Sequence, residues 1–347
     1  MDFSGITLLG LGPGDPALLT RQAWQLLENL SEIHLRTRQH PTVQGFPPSL
    51  KVYSFDDIYA QLDSFELVYT HIIDQILTLG QRPGGVVYAV PGHPFIAEAT
   101  CPEIYRRAAQ TGIPVRVIEG LSFIESTFTA LGIDPLPHTA LVDALTLAAG
   151  LVPSFPPDAP ALIAQIHSAA VASDVKLTLM ETYPDEHPVT LVHAAGTAQQ
   201  IVESIPLYEI DRSEHIGLLT SLYVPPLGEG TSFESFQEIV AHLRAPDGCP
   251  WDKEQTHLSL KPNLVEECYE ALEAIDEGDD RKLREELGDI LMQVALHSQI
   301  GREDGTFSVE DVLRLAGHMT PAPAPTWPPE LVALVREVED LPTPLRR

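Results

Sequence analysis

Basic side chains are what this chain has least of: Lys and Arg number 21 against 49 Asp and Glu, a formal net charge of −28 over 347 residues. A surface so acidic repels polyphosphate backbones and anionic lipid, so neither a nucleic acid polymer nor a membrane is expected as a partner. A small phosphorylated substrate stays within reach, because a divalent cation held by carboxylates reverses the local sign of the charge. Cysteine is scarce too. Cys101, Cys249 and Cys268 include no pair at metal-ligand spacing, so a reducing, cytoplasmic setting without a disulfide framework is expected. The apolar run at residues 6–11 is broken by glycine, and no basic stretch precedes it, so it reads as neither a signal peptide nor a membrane helix. No internal repeat is found.

What the chain does have is alternation. Residues 6–15 read as a short buried strand entering a glycine-rich turn, and a helix is expected over residues 20–29. Strand-like apolar runs recur at residues 85–90, 114–118 and 176–180, with helix-like stretches between them. The pattern predicts an α/β region in two lobes. A proline-rich stretch at residues 152–160 is the expected junction between the lobes. Residues 1–226 would form this first domain and residues 227–232, rich in turn formers, a linker. Residues 233–319 read as an all-α module, and residues 320–347 as a proline-rich tail with a short helix.

The all-α module holds the most informative spacing. Residues 263–304 carry thirteen acids and four bases. Leu264, Cys268, Ala271, Leu272 and Ile275 form one apolar stripe at helical spacing, and Leu283, Leu287, Ile290, Leu291 and Val294 form another. With the first leucine of each at zero, Glu267 and Glu286 fall at about 300° and Glu270 and Asp289 at about 240°. Two helices packed antiparallel through those stripes would bring four carboxylates to one site, where ionised groups repel unless a cation joins them. A solvated acidic surface is the competing reading.

Glu266-Glu267-Cys268-Tyr269-Glu270 followed by Glu286-Leu287-Gly288-Asp289 resembles the EExxE and ExxD signature of the MazG nucleotide pyrophosphohydrolases. The segment LRAPDGCPWDKEQTH at residues 243–257 is similar to the one leading into that family's helices, and Gln293, His297 and residues 305–307 also fit. The resemblance spans about residues 233–313. It implies a usually homodimeric all-α module that binds Mg²⁺ and cleaves nucleoside triphosphates between the α- and β-phosphates. Glu267, Glu270, Glu286 and Asp289 would hold the metal, and Glu266 would orient the attacking water. Lys253 would hold a phosphate, and Trp251 would stack on a base. His257 and His297 are read as hydrogen-bonded structural histidines. After residue 314 the family's basic Arg-Arg-His-Pro segment is replaced by alternating proline and alanine.

The amino-terminal part carries a second resemblance. Gly10-Leu11-Gly12-Pro13-Gly14, Pro91-Gly92-His93-Pro94, Glu119-Gly120-Leu121-Ser122 and Ala195-Gly196-Thr197 resemble the tetrapyrrole methylases, which bind S-adenosylmethionine between two α/β lobes. The resemblance covers about residues 4–226 and implies Pro13, Gly92, His93, Pro94, Ser122, Met180 and Ala195 as cofactor-side positions. Where many members carry Gly-Gly-Asp-Pro, this chain has Pro91-Gly92-His93-Pro94. A methylase-like half joined to a MazG module resembles the YabN-like bacterial architecture. Two other readings remain open: methyl transfer with the helical module serving dimerisation, and a ligand-binding regulator without turnover.

Overall fold

The computed structural model describes residues 4–62 and 64–317. The expected tail at residues 320–347 lies outside the described residues. The chain divides into two compact units between Ser232 and Phe233.

The first unit is built on two five-stranded sheets. The first lobe runs β1 (Ile6–Gly10), α1 (Arg21–Glu28), β2 (Glu32–Leu35), β3 (Lys51–Ser54), α2 (Asp56–Gln61), α3 (Phe65–Gly80), β4 (Val86–Val90), α4 (Thr100–Thr111), β5 (Val115–Ile118) and α5 (Phe123–Leu131). Its strands are all parallel, in the order β3-β2-β4-β1-β5. β1 lies between the central β4 and the edge strand β5 and is buried throughout, which explains its unbroken apolar run: parallel strands between helical layers have no wet face. Ile6 and Leu8 point into one core and Leu9 and Leu11 into another. Thr20 caps α1, its hydroxyl accepting from Ala23 N, as expected of a threonine before an amphipathic run.

The strand order places a topological switch between β1 and β4. The chain leaves β1 toward β2 on one side and leaves β4 toward β5 on the other, which opens a crevice at the carboxyl ends of these two strands. Gly10, Gly92 and Gly120 meet there. A Cβ on Gly10 would stand 2.5 Å from Gly120 N and 2.6 Å from Gly92 O, so only hydrogen fits.

The second lobe follows as β6 (Ala140–Asp143), α6 (Ala144–Ala148), β7 (Ala161–Ala164), α7 (Ala169–Met180), β8 (Pro188–His193), β9 (Ile201–Pro206) and β10 (Thr220–Val224). The order is β6-β7-β10-β8-β9, with only β6 and β7 parallel. Two expectations are corrected here. Residues 152–160 do not join the lobes. They link α6 to β7 inside the second lobe, because β6 already belongs to its sheet, and the crossing falls between α5 and β6. Residues 176–180 are helix, not strand. Ser168 caps α7, and Val171, Ala172, Val175, Thr178 and Leu179 are buried at helical spacing; the five-residue run was too short to reveal that period.

The second unit is helical: α8 (Phe233–Arg244), α9 (Pro250–Glu254), α10 (Lys261–Glu277), α11 (Asp280–Glu303) and α12 (Val309–Gly317). Gly278, at φ +67°, ends α10, and the Asp279 side chain caps α11. These two residues fold α10 and α11 into an antiparallel hairpin. Its seam is rotated from the expected stripes. Ala271 of the expected stripe is buried in it together with Ala274 and Glu286, which were not expected there, whereas Leu272, Ile275, Leu287 and Leu291 stay 55, 58, 53 and 41 % exposed. Small alanines leave room between packed helices, and the rotated seam includes the Glu286 side chain.

Candidate functional site

Glu267, Glu270 and Glu286 come together across the α10–α11 hairpin, one carboxylate oxygen from each lying within 4.8 Å of the others. Glu286 is only 9 % exposed, while Glu267 is half-buried and Glu270 exposed. Burial, then the charges of Asp289, Glu270, Glu286 and Glu266, push the Glu267 carboxyl above the usual carboxylate range. Glu286 is raised in the same way by burial, Glu270 and Asp289, against a smaller opposing pull from Lys282. The Lys282 ammonium is held by Glu273 at 2.7 Å. Three crowded oxygen donors whose charged forms repel suit a hard divalent cation such as Mg²⁺. Asp289 is an electrostatic neighbour of Glu267 and Glu286 but lies outside the tight trio. Glu266 is exposed on α10 beside it.

Trp251 and Lys253 ride on the five-residue α9, too short to hold its shape alone. Arg244, a residue the sequence reading gave no role, supplies the support. Its side chain is 6 % exposed; Nη1 donates to the carbonyls of Asp252 and Gln255, while Nε and Nη2 donate to Glu303 at 2.7–3.1 Å. The Trp251 side lies open, the residue being 56 % exposed, and Lys253 Nζ donates to Pro246 O at 2.8 Å. His257 and His297 are joined Nδ1 to Nδ1 at 2.8 Å, as hydrogen-bonded histidines should be, and their rings stack with Phe307 beyond. Burial and His257 lower the His297 pKa.

In the first unit the crevice at β1 and β4 is closed over by the second lobe. Gly12 and Gly92 bond each other in both directions, N to O, at 3.2 and 2.8 Å. From the other lobe, Gly196 O accepts from Asp15 N at 3.2 Å, and a Cβ on Gly196 would stand 2.7 Å from Pro13 Cγ. Pro13, Gly92, Ser122 and Ala195 therefore belong to one set of neighbouring loops, with His93 and Pro94 continuing from Gly92. Around Gly92, at φ +66°, the nearest atom to an added Cβ is Ser122 Cα at 3.9 Å, so a Cβ would fit there without a clash. Ser122 also caps α5 in a reciprocal box with Glu125. Met180 is not with them. α7 starts at the crevice end of β7 and descends, so Met180 ends near the start of β8, packed on the core of the second lobe.

Sequence reasoning also missed three strained positions. Ala97, Gln165 and Ala194 hold φ of +51°, +66° and +49°, each on a loop that follows a strand of this crevice. Such conformations persist only where the surroundings enforce them. Gln165 Nε2 donates to Ala97 O at 3.2 Å, fastening one lobe to the other. Only Ala194, two residues before a glycine, had any turn signal in sequence.

Comparison with known proteins gives two family matches. The model of the tetrapyrrole (corrin/porphyrin) methylases matches residues 5–211, and that of the MazG nucleotide pyrophosphohydrolase domain matches residues 255–318. The chain is 44 % identical over 314 residues to the uncharacterised protein YabN of Bacillus subtilis, covering 89 % of this chain and 63 % of that protein. It is 58 % identical over 85 residues to the nucleoside triphosphate pyrophosphohydrolase/pyrophosphatase MazG of Thermotoga maritima, covering 24 % of this chain and 33 % of that one. It thus spans less than two thirds of either relative. Among solved structures, the uroporphyrin-III-C-methyltransferase from Thermus thermophilus aligns with a TM-score of 0.49 at 20 % identity, over 65 % of this chain and 94 % of that one.

Proposed function

The chain belongs to the tetrapyrrole methylase family and carries a MazG nucleotide pyrophosphohydrolase domain behind it, and from that premise we propose that it hydrolyses nucleoside triphosphates to monophosphate and pyrophosphate with Mg²⁺. The observation that carries the reading is the carboxylate trio, crowded enough that two of its members are held toward protonation. Glu267, Glu270 and Glu286, with Asp289 beside them, would hold the metal. A Mg²⁺ ion held there would supply neutralisation of phosphate charge and a lowered pKa for the water that attacks phosphorus. Glu266, at the open edge, orients that water and takes its proton. Lys253 leaves Pro246 O to pair with a phosphate oxygen, and Trp251, open to solvent, stacks on the base.

The methylase-like domain, taken as residues 1–226, would bind S-adenosylmethionine at the crevice formed by Pro13, Gly92, His93, Pro94, Ser122 and Ala195. The free space at Gly92 and the strained loops around it support this. A linker at residues 227–232 and the helical domain at residues 233–319 complete the assignment. Val265, Tyr269, Leu272, Ile275, Leu287 and Leu291 are 41–58 % exposed on the outer face of the hairpin, which suits a homodimer through the helical unit. No helix among the described residues is long and apolar enough to cross a membrane.

The test is to incubate the purified chain with nucleoside triphosphates and Mg²⁺ and measure pyrophosphate, beside a Glu270→Ala, Asp289→Ala double variant. The reading expects release from the unmodified chain and a loss of at least about a hundredfold in the variant. No release from the unmodified chain would sink it.

A further inference from the structure

The carboxylates are not the last polar groups on their face of α11. At about 100° per residue, Gln293 and His297 fall within about 20° of the line through Glu286, and Asp289 about 60° from it. Gln293 is 7 % exposed, and its Oε1 is buried without a hydrogen-bond partner; His297 Nε2 is buried without one as well. Folded proteins satisfy nearly all such groups, because a dry donor or acceptor loses its water and gains nothing in exchange. Two of them, four residues apart on the face that carries the metal-binding carboxylates, are a cost that the helical fold alone does not explain.

Spacing suggests what meets them. Gln293 stands about 6 Å and His297 about 12 Å along the axis from Asp289, and helical side chains lean back toward the N-terminus, here toward the carboxylates. That is the order of the reach from a phosphorus atom through ribose to the edge of a base. We propose that Gln293 and His297 are the nucleoside-recognition groups of this site, taking the base edge of the nucleotide whose phosphates lie at Glu267, Glu270 and Glu286. The assignment rests on the hydrolase reading above.

Gln293 Oε1 accepts from an N–H of the base. His297 offers one complementary group, because it shares a proton with His257 through the Nδ1–Nδ1 contact. If His297 donates there, its Nε2 is an acceptor; if His257 donates, neutral His297 carries its proton on Nε2. His257, itself exposed, lies ring to ring against His297 and holds its Nδ1, which leaves Nε2 for the base. The lowered pKa of His297 agrees with a neutral ring.

The experiment measures kcat and KM over a panel of ribo- and deoxyribonucleoside triphosphates, with Mg²⁺ titrations and melting curves, for the unmodified chain and for Gln293→Leu and His297→Phe. The unmodified chain should prefer one base at least tenfold in kcat/KM. Gln293→Leu should raise KM for that nucleotide at least tenfold and flatten the preference. Its Mg²⁺ half-saturation should stay within twofold, and its ligand-free melting temperature should not fall, since leucine removes an unpaired polar atom. His297→Phe should shift the same preference. Preference and KM unchanged in both variants would overturn the assignment, as would equal use of all bases by the unmodified chain, or a Gln293→Leu protein that melts lower and loses Mg²⁺ binding with activity. No pyrophosphate from any nucleotide would instead overturn the hydrolase reading, and the assignment with it.

Discussion

Glu286 is the residue on which the electrostatics of the hairpin turn. It is nearly buried beside Glu270 and Asp289, which holds its carboxyl above the usual range. Between the ordinary carboxylate value and that raised one, the folded chain binds more protons than the unfolded chain, so its contribution to stability is complete in acid and is lost as pH rises through the raised value. Mg²⁺ should remove the penalty by taking the place of the proton. In metal-free protein, then, the melting temperature of the helical unit should fall more steeply from pH 5 to 8 in the unmodified chain than in Glu286→Gln. At neutral pH the variant should melt higher without metal and gain less when Mg²⁺ is added. Parallel pH profiles for the two proteins, or an equal gain with metal, would contradict this account. That Glu267, Glu270 and Glu286 are neighbours was legible from i, i+3 spacing, while Asp289 lies outside their trio. The unpaired Gln293 Oε1 and the Arg244 clamp were not, because a sequence shows residue type but neither burial nor partner.

Whole elements were legible where one force dominates. β1 and β4 are interior parallel strands, whose apolar runs admit few other readings. α7 was misread because its last turn, taken alone, alternates like a strand. The α10–α11 seam was placed only in part: Ala271 of the expected stripe is buried in it, but ranking residues by hydrophobicity also favoured Leu272, Ile275 and Leu287, which are exposed, and passed over Ala274, which is buried. The crevice depends on backbone shape more than on side chains, and Gly92 tests this. At φ +66° an alanine is strained by roughly 1–2 kcal/mol, yet an added Cβ meets nothing nearer than 3.9 Å. Gly92→Ala should therefore fold, melting only a few degrees lower, while S-adenosylmethionine binding measured by calorimetry weakens at least tenfold. Unchanged affinity would remove the cofactor from this crevice.

On the scale of the whole molecule, the two units own separate cores. Three buried clusters lie in the first, and Val240, Leu260, Ala295, Leu296 and Ile300 form the one described in the second. A ligand that binds only one folded unit stabilises that unit by mass action. Scanning calorimetry of the full chain should thus resolve two transitions, one raised by S-adenosylmethionine alone and the other by Mg²⁺ alone. A single transition raised by either ligand would show the units to be energetically one. The division at Ser232 and Phe233 was approachable from sequence, since alternating strands and helices give way there to helix only. The lobe crossing was not, because proline content marks a loop without saying which two elements it joins. The proposed reaction cleaves a nucleoside triphosphate between its α- and β-phosphates at the hairpin carboxylates. Hydrolysis in ¹⁸O-labelled water, followed by ³¹P NMR, tests it most directly. Label should appear in the monophosphate or the pyrophosphate, with these two as the products; label in inorganic phosphate with a diphosphate nucleotide as product, or no turnover with Mg²⁺ present, would contradict that cleavage.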